Sequence, residues 1–275
     1  MKFTKTRIAP TPSGYLHIGN ILSFSLTAAA ARQTGASILL RIDDLDRERA
    51  ELRYIEDIFD TLRFLGIPWN EGPVDAADFE RNWSQMRRLS LYNEALDLLR
   101  RSGAVFACSC SRAQLAGASG YPGTCTDRGI SLDAEGVNWR LRTEALRVGE
   151  NLVELPVEMW DFVVRKKDGF PAYQLSSVID DLHFGVDLVV RGEDLRASTA
   201  AQLYLADVLA KAGMPGAAAF KKIKFIHHPL LMEGGEKLSK SAGATSINYL
   251  RQQGASPAEI FTLIGPLPGA ADFLI

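Results

Sequence analysis

The sequence predicts an α/β fold organised on a parallel sheet, with its chemistry at the carboxyl ends of the strands. Three observations lead there. Residues 6–42 read as strand, helix and strand, at the spacing of a right-handed parallel crossover. Later, Val186 to Val190 reads as another buried strand and Ile223 to Ile226 as a further strand. Polar or glycine-containing segments follow these strands, and in open parallel sheets ligands sit at those ends.

Taken in order, Thr6 to Ala9 forms a short strand that ends in a turn rich in Pro, Ser and Gly. Asn20 is expected to cap a helix through Ile21, Leu22, Leu26 and Ala28 to Ala31, ended by Thr34-Gly35. The helix start offers free N–H groups and a positive dipole end, which suit a phosphate. Gly19 has no side chain and lets a flat adenine approach, His17 can donate to a phosphate oxygen, and Pro10 and Pro12 stiffen the loop. A histidine alone at such a turn reads as incidental. Ser37 to Ile42 closes the unit as a strand, followed by Asp43-Asp44. Beyond Trp69-Asn70-Glu71-Gly72-Pro73 the pattern changes. Trp83, Met86, Leu89, Leu96 and Leu99, with Tyr92 beside them, line one face of a helix and read as core. Arg191 lies at the carboxyl end of the strand Val186 to Val190. After Ile223 to Ile226 comes Gly234-Gly235-Glu236-Lys237-Leu238-Ser239-Lys240-Ser241-Ala242-Gly243, where two lysines three residues apart supply point charges for a triphosphate.

With 275 residues the chain can bury a large core as one domain or two. A net charge of −2 gives no overall basic field, although phosphate contacts need only a local basic face. Arg81 with Arg87 and Arg88, Arg100-Arg101, Arg165-Lys166-Lys167, and Lys221-Lys222 with Lys224 are such clusters, each read first as solvated surface. No apolar run approaches the roughly 18 residues of a membrane helix, and no signal peptide is evident. A cytoplasmic protein with no membrane association is expected.

Ala9-Pro10-Thr11-Pro12-Ser13-Gly14-Tyr15-Leu16-His17-Ile18-Gly19-Asn20 and Lys237-Leu238-Ser239-Lys240-Ser241, in this order, resemble the HIGH and KMSKS signatures of class I aminoacyl-tRNA synthetases. The resemblance is to the glutamyl/glutaminyl subgroup, with Asn20 in place of the second histidine. It implies a Rossmann-like parallel-sheet catalytic domain over 1–74 and 169–245. An inserted α/β domain over 75–168 would receive the acceptor end of tRNA, and 246–275 would form a short helical closure. His17, Gly19, Asn20, Lys237, Ser239 and Lys240 would hold ATP, with His17, Lys237 and Lys240 catalytic. Arg7, Ala9, Thr11, Asp43, Tyr173 and Arg191 would hold the amino acid, Arg7 at its side-chain carboxylate and Asp43 at its α-ammonium. Tyr173 lies in Phe170 to Leu175 and Arg191 in Val189 to Leu195, segments that match the subgroup. Glutamyl members usually carry Glu at the position of Asp43, and glutaminyl members carry Asp. The implied reaction is in-line attack of the α-carboxylate on the α-phosphorus of ATP. It needs no general base and relies on positioning and charge stabilisation by His17, Lys237, Lys240 and Mg²⁺.

All three cysteines fall in the middle of the chain, at Cys108, Cys110 and Cys125. Clustered cysteines in a cytoplasmic protein suggest a metal, and three thiolates suit Zn²⁺. Free structural thiols are the alternative on spacing alone. The resemblance makes Tyr121 the fourth ligand, with Asp127 or a water as alternatives. After Ser241 only 34 residues remain, fewer than the about 50 that a domain needs. An anticodon-binding domain is therefore not expected. The chain then resembles the branch of the subgroup without that domain. Its members activate L-glutamate without tRNA and transfer it to queuosine in the anticodon loop of tRNA(Asp). A monomer is expected. Two other readings stand beside this one. The first is a truncated or divergent glutamyl- or glutaminyl-tRNA synthetase charging the 3′ end. The second, a non-catalytic RNA-binding paralogue, is opposed by intact Arg7, His17, Lys237 and Lys240.

Overall fold

The structure is a computed structural model, which describes residues 2–143, 155–233, 236–237 and 246–265. In chain order the main elements begin with β1 (Lys5–Ile8), α1 (Ile18–Thr34), β2 (Ser37–Leu40), α2 (Leu52–Phe64) and α3 (Ala76–Asp78). Then follow α4 (Leu89–Arg101), β3 (Val105–Cys108), β4 (Asn138–Leu141), β5 (Val163–Arg165) and α5 (Tyr173–His183). The chain continues with β6 (Leu188–Gly192), α6 (Arg196–Lys211), β7 (Lys224–His228), β8 (Met232–Glu233), β9 (Glu236–Lys237), α7 (Ile247–Gln252) and α8 (Pro257–Leu263). They form two compact units. One comprises Met1–Arg88, Val186–Asp194 and Lys224–Ile275, and the other Leu89–Gly185 and Leu195–Ile223.

The first unit is built on a parallel sheet of order β2-β1-β6-β7. The expected strand to Ile42 ends at Leu40, but the pairing continues through Arg41 N–H to Ile8 C=O and Asp43 N–H to Pro10 C=O. Alternation gives the sheet two unlike faces. Ile8, Ile38, Leu40, Leu188, Val190 and Ile226 join a core with Ile21 and Leu22 of α1 and Ile55, Ile58, Phe59 and Leu62 of α2. At the alternate positions of the same strands, facing the other side, stand Arg7, Leu39, Val189, Arg191 and Phe225. The consequence is that two cations of one sheet face are almost wholly removed from water, Arg7 and Arg191 being 6% and 4% exposed.

Sequence reasoning misplaces the start of α1. His17, not Asn20, is its N-cap: the His17 ring accepts from Gly19 N–H, while Asn20, at the third helical position, accepts from the His17 backbone N–H. This reciprocal capping satisfies donors that would otherwise be orphaned. The helix ends as expected at Gly35, whose φ of 77° is left-handed.

A second difference concerns the stripe from Trp83 to Leu99. It is a π-turn over Phe79–Trp83, a 3₁₀ turn over Gln85–Arg88 and then α4, not one helix. Ser84 breaks it by turning extended, with φ −52° and ψ 141°. That turn lets the Ser84 hydroxyl and the Gln85 N–H donate to the wholly buried Asp44, at 2.6 and 2.8 Å. Trp83 accordingly packs on the core of the first unit, whereas Tyr92, Leu96 and Leu99 are buried on α4 in the second.

The second unit carries the antiparallel sheet β3-β4-β5. Its buried Tyr92 hydroxyl donates to Asp180 of α5 at 2.6 Å. Among the described residues no helix is long and apolar enough to cross a membrane.

Candidate active site and cysteine cluster

Gly19 N–H donates to His17 Nδ1 at 3.1 Å, so that nitrogen presents its lone pair. A neutral imidazole then carries its proton on Nε2, the tautomer that can donate to a phosphate oxygen. Gly19 makes the arrangement possible, since a Cβ there would stand 3.0 Å from His17 Cε1 and 3.1 Å from Nδ1. Its missing side chain leaves room for the imidazole.

Downstream of the second signature, the chain returns to the first. His17 and Ser246 form an antiparallel backbone bridge, and Ile247 N–H donates to Leu16 C=O at 2.8 Å. Ser246 then caps α7 by accepting from Tyr249 N–H. Lys237 is paired with Met232 across the β8–β9 ladder. Ser239 and Lys240 lie outside the described residues.

The amino-acid candidates separate into two groups. Arg7 is held on β1, its Nη1 at 3.5 Å from Val190 C=O of β6. Arg191 sits one strand over, its guanidinium stacked 4.9 Å from the Phe225 ring. Asp43 receives a two-point ion pair from Arg41, Nε to Oδ1 at 2.8 Å and Nη2 to Oδ2 at 3.0 Å. Ala9 and Thr11 line the loop after β1, Ala9 partly and Thr11 well exposed. Tyr173, by contrast, belongs to the second unit, where it opens α5 with 43% of its surface exposed.

Sequence reasoning missed two polar links within the first unit. The Ser23 hydroxyl of α1 lies 2.6 Å from His228 Nε2, and His228 Nδ1 lies 2.8 Å from Pro229 C=O. A carbonyl can only accept, so Nδ1 donates to Pro229, and in a neutral ring Nε2 would accept from the Ser23 hydroxyl. The second link centres on Asp57 of α2, a buried carboxylate on the opposite side of the helix from the stripe Ile55, Ile58, Phe59 and Leu62. It stands with Arg53, Glu56 and Asp60 on the polar side of the helix, so the sequence carried no signal for it.

In the second unit the three cysteine sulfurs lie within 4.8 Å of one another, with Cys110 and Cys125 at 3.6 Å. Tetrahedral Zn²⁺ with bonds of about 2.3 Å puts its sulfurs roughly 3.8 Å apart, so the cluster fits such an ion. Tyr121 packs on the cluster and its hydroxyl oxygen accepts from Cys125 N–H at 2.7 Å. The Arg140 guanidinium lies 3.8 Å from the Tyr121 ring centre. Asp127 is exposed, and no carboxylate or histidine among the described residues joins the cysteine group. Burial pushes the Cys110 thiol up to about 11, and the neighbouring thiols add to this. Burial opposes ionisation of Cys125 too, but hydrogen bonds from Ser109 N–H, the Tyr121 hydroxyl and both other thiols hold it down at about 6. Burial, then the nearby sulfurs, raises the Tyr121 hydroxyl.

A parallel sheet with a phosphate-suited helix start and buried arginines near its strand ends defines a nucleotide-binding catalytic core. Residues 4–121 and 150–268 match the family described as tRNA synthetases class I (E and Q), catalytic domain, and the chain belongs to that family. Its fold is shared with the glutamate-tRNA synthetase of Elizabethkingia anophelis, at a TM-score of 0.68 and 22% identity over 87% of this chain. The chain spans about half, 53%, of that structure. The similarity to the glutamyl-Q tRNA(Asp) synthetase of Parasynechococcus marenigrum is 39% identity over 96% of this chain and 84% of the relative. To that of Nitratidesulfovibrio vulgaris it is 36%, over 96% and 86%. To that of Pseudomonas aeruginosa it is 37%, over 86% and 76%. Within the class I family, the chain thus falls among the glutamyl-Q tRNA(Asp) synthetases.

Proposed function

We propose that the chain is a ligase that activates L-glutamate with ATP and transfers the glutamyl group to queuosine in tRNA(Asp). The observation that carries the site assignment is the bridge between His17 and Ser246, which ties the chain just after the lysine signature to the first signature. Arg7 and Arg191 supply buried positive charge for an acidic substrate. A guanidinium suits the side-chain carboxylate because it offers two parallel donors. Asp43, oriented by Arg41, accepts the α-ammonium, and Tyr173 contributes a hydrogen bond to the substrate. Ala9 and Thr11 border the same position.

ATP enters as its Mg²⁺ complex, and the substrate's α-carboxylate displaces pyrophosphate in line. The carboxylate is already a nucleophile, so the protein supplies orientation and charge. Gly19 and Asn20 open the helix beneath the nucleotide, and His17 Nε2–H donates to a phosphate oxygen. Lys237 and Lys240, with Ser239 between them, neutralise the charge that grows on pyrophosphate.

Cys108, Cys110, Cys125 and Tyr121 would hold Zn²⁺, which cross-links the end of β3 to the 121–125 loop as a structural staple. In the same reading, residues 75–168 are an insertion in a discontinuous catalytic domain over 1–74 and 169–245, and 246–275 close it. The chain acts as a cytoplasmic monomer.

Glutamate-dependent ATP–pyrophosphate exchange without tRNA tests the first half-reaction. Labelled glutamate offered to queuosine-containing and queuosine-free tRNA(Asp) tests the second. Exchange without tRNA and labelling of the queuosine-containing tRNA alone are the expected results. Label on the 3′-terminal ribose would overturn the assigned acceptor, and no exchange under any condition would overturn the enzyme.

A further inference from the structure

The Asp57 carboxylate lies 4% exposed on α2, outside every segment that carries a signature. Its two oxygens face different partners. Oδ2 accepts from the backbone N–H of Leu16, the residue before His17, at 3.4 Å. Oδ1 accepts from Asn248 Nδ2 of α7 at 3.3 Å and stands 3.7 Å from Arg251 Nη1. Arg251 in turn packs over Phe64 of α2, 5.3 Å from its ring centre, and lies 3.9 Å from Asp60.

One carboxylate therefore ties together three stretches far apart in sequence: the run into His17, α2, and the start of α7 that follows the lysine segment. Two backbone contacts duplicate the connection between first and last, the His17–Ser246 bridge and Ile247 N–H to Leu16 C=O. Backbone pairing fixes the separation of the two chains. It does not by itself fix their placement over the sheet. Among the described residues the Asp57 side chain hydrogen-bonds to both of them from α2, which packs on that sheet's core. Tyr15–Tyr54 and Arg251 with Asp60 and Phe64 each tie one of them to the same helix.

We propose that Asp57 is a positioning residue for ATP, setting the imidazole-bearing turn at Leu16–His17 and the root of the lysine segment at 246–248 in one register. The proposal rests on the adenylate-forming reading above. Asp57 touches neither substrate in this role. Its loss therefore loosens the grip on ATP and leaves the glutamate-binding arginines on their strands.

Steady-state ATP–pyrophosphate exchange on the full chain tests it, with the KM of each substrate measured separately. Asp57→Ala is expected to raise the KM for ATP about tenfold, the scale on which small misplacements act. The glutamate KM stays within twofold and the melting profile remains cooperative. Asp57→Asn keeps the acceptor for Leu16 N–H and sets two amide donors against each other at 248, so it falls between. The exchanged pair Asp57→Asn with Asn248→Asp restores a donor–acceptor match and should return the ATP KM to within about threefold of wild type. An unchanged ATP KM in Asp57→Ala overturns the positioning role. So does an equal rise in both KM values without rescue by the exchanged pair, the pattern of general damage. Absence of exchange in the wild-type chain overturns the adenylate reading itself, whereas active wild type with indifferent variants overturns the role of Asp57 alone.

Discussion

The cysteine cluster and the sheet-edge site are built by opposite strategies. The cluster draws all its sulfurs from residues 108 to 125, a short stretch that runs from the end of β3 into the loop that follows. The proposed edge site would draw Arg7, His17, Asp43 and Arg191 from segments spread over much of the sequence, with adjacent strands carrying Arg7 and Arg191 and a backbone bridge tying His17 to Ser246. A local cluster needs only a short loop to close, and its chain-entropy cost is small. The distributed site depends on strand register, because a slip of one residue would send Arg7 and Arg191 to the apolar face. Failure should therefore differ: the cluster should fail by loosening one loop, and the edge site by losing chemistry while the fold persists.

The largest effect expected is at the edge. Lys240→Ala should lower the turnover of ATP–pyrophosphate exchange by about 10²- to 10³-fold, the range for one removed charge stabiliser. Its glutamate KM should hardly move, and exchange near the wild-type rate would remove Lys240 from the site. Next, Arg7→Lys should raise the glutamate KM by on the order of tenfold to a hundredfold, since an ammonium loses the two-point geometry. A change confined to the ATP KM would place Arg7 elsewhere.

The comparison is sharpened by Cys125→Ser, which acts on the other region. Zinc content should fall from about one ion per chain, and the melting temperature should drop by several degrees as a structural staple is lost. Glutamate KM should stay near wild type, so metal content unchanged by the substitution would dissolve the assignment. A subtler change is Gly19→Ala, whose Cβ would press on the His17 ring at 3.0 Å. Activity should fall about fivefold from the displaced imidazole, while stability holds or rises by up to about 1 kcal/mol from better helix propensity. Equal activity would show that the ring yields freely.

The smallest effect concerns pH. The Lys5 ammonium, 2.7 Å away, and the Ser37 hydroxyl hold the Glu71 carboxyl below its ordinary value, against a smaller opposing effect of burial. A lowered folded value gives stability that is present above the unfolded pKa and lost as pH falls through the folded one. The pair is part-exposed, so solvent screens it. Glu71→Gln should lower the melting temperature by a degree or so at pH 7 and by nothing measurable near pH 3. A difference that persists in acid would assign the effect to packing.

The parallel core was legible because its strands are short and rich in apolar residues between turn signals, and Gly35, the residue type that takes a left-handed φ without strain, marked the end of α1. The start of α1 was not legible. Asn is the more familiar cap, yet the ring of His17 captures Gly19 N–H and leaves Asn20 to reciprocate from inside the helix. Nor was the break at Ser84, because periodicity registers which residues are apolar and says nothing of the demand of Asp44 for two donors some forty residues earlier. Of the site, residue types and order were plain, as was the cysteine triad. Tyr121 entered through resemblance, and the structure adds its contact with the cluster. Asp57 and the Ser23–His228 link stayed hidden, since Asp57 stands among Arg53, Glu56 and Asp60 on the polar side of α2 and the partners of both links lie far away in the sequence.

By itself, the sequence determined the parallel core, the arginines and lysines suited to an acidic substrate and a triphosphate, and the thiols suited to a metal. Those are properties of residue types at short spacing, which local chemistry dictates. Only the tertiary structure decided which tautomer His17 presents, that Asp43 is held by Arg41, and that the chain beyond the lysines returns to Leu16 and His17. The first two are bonds between residues two apart, Gly19 N–H to His17 and Arg41 to Asp43, whose geometry is set by the backbone conformation that the fold imposes. The third joins groups roughly 230 residues apart, which only the packed unit brings within about 3 Å.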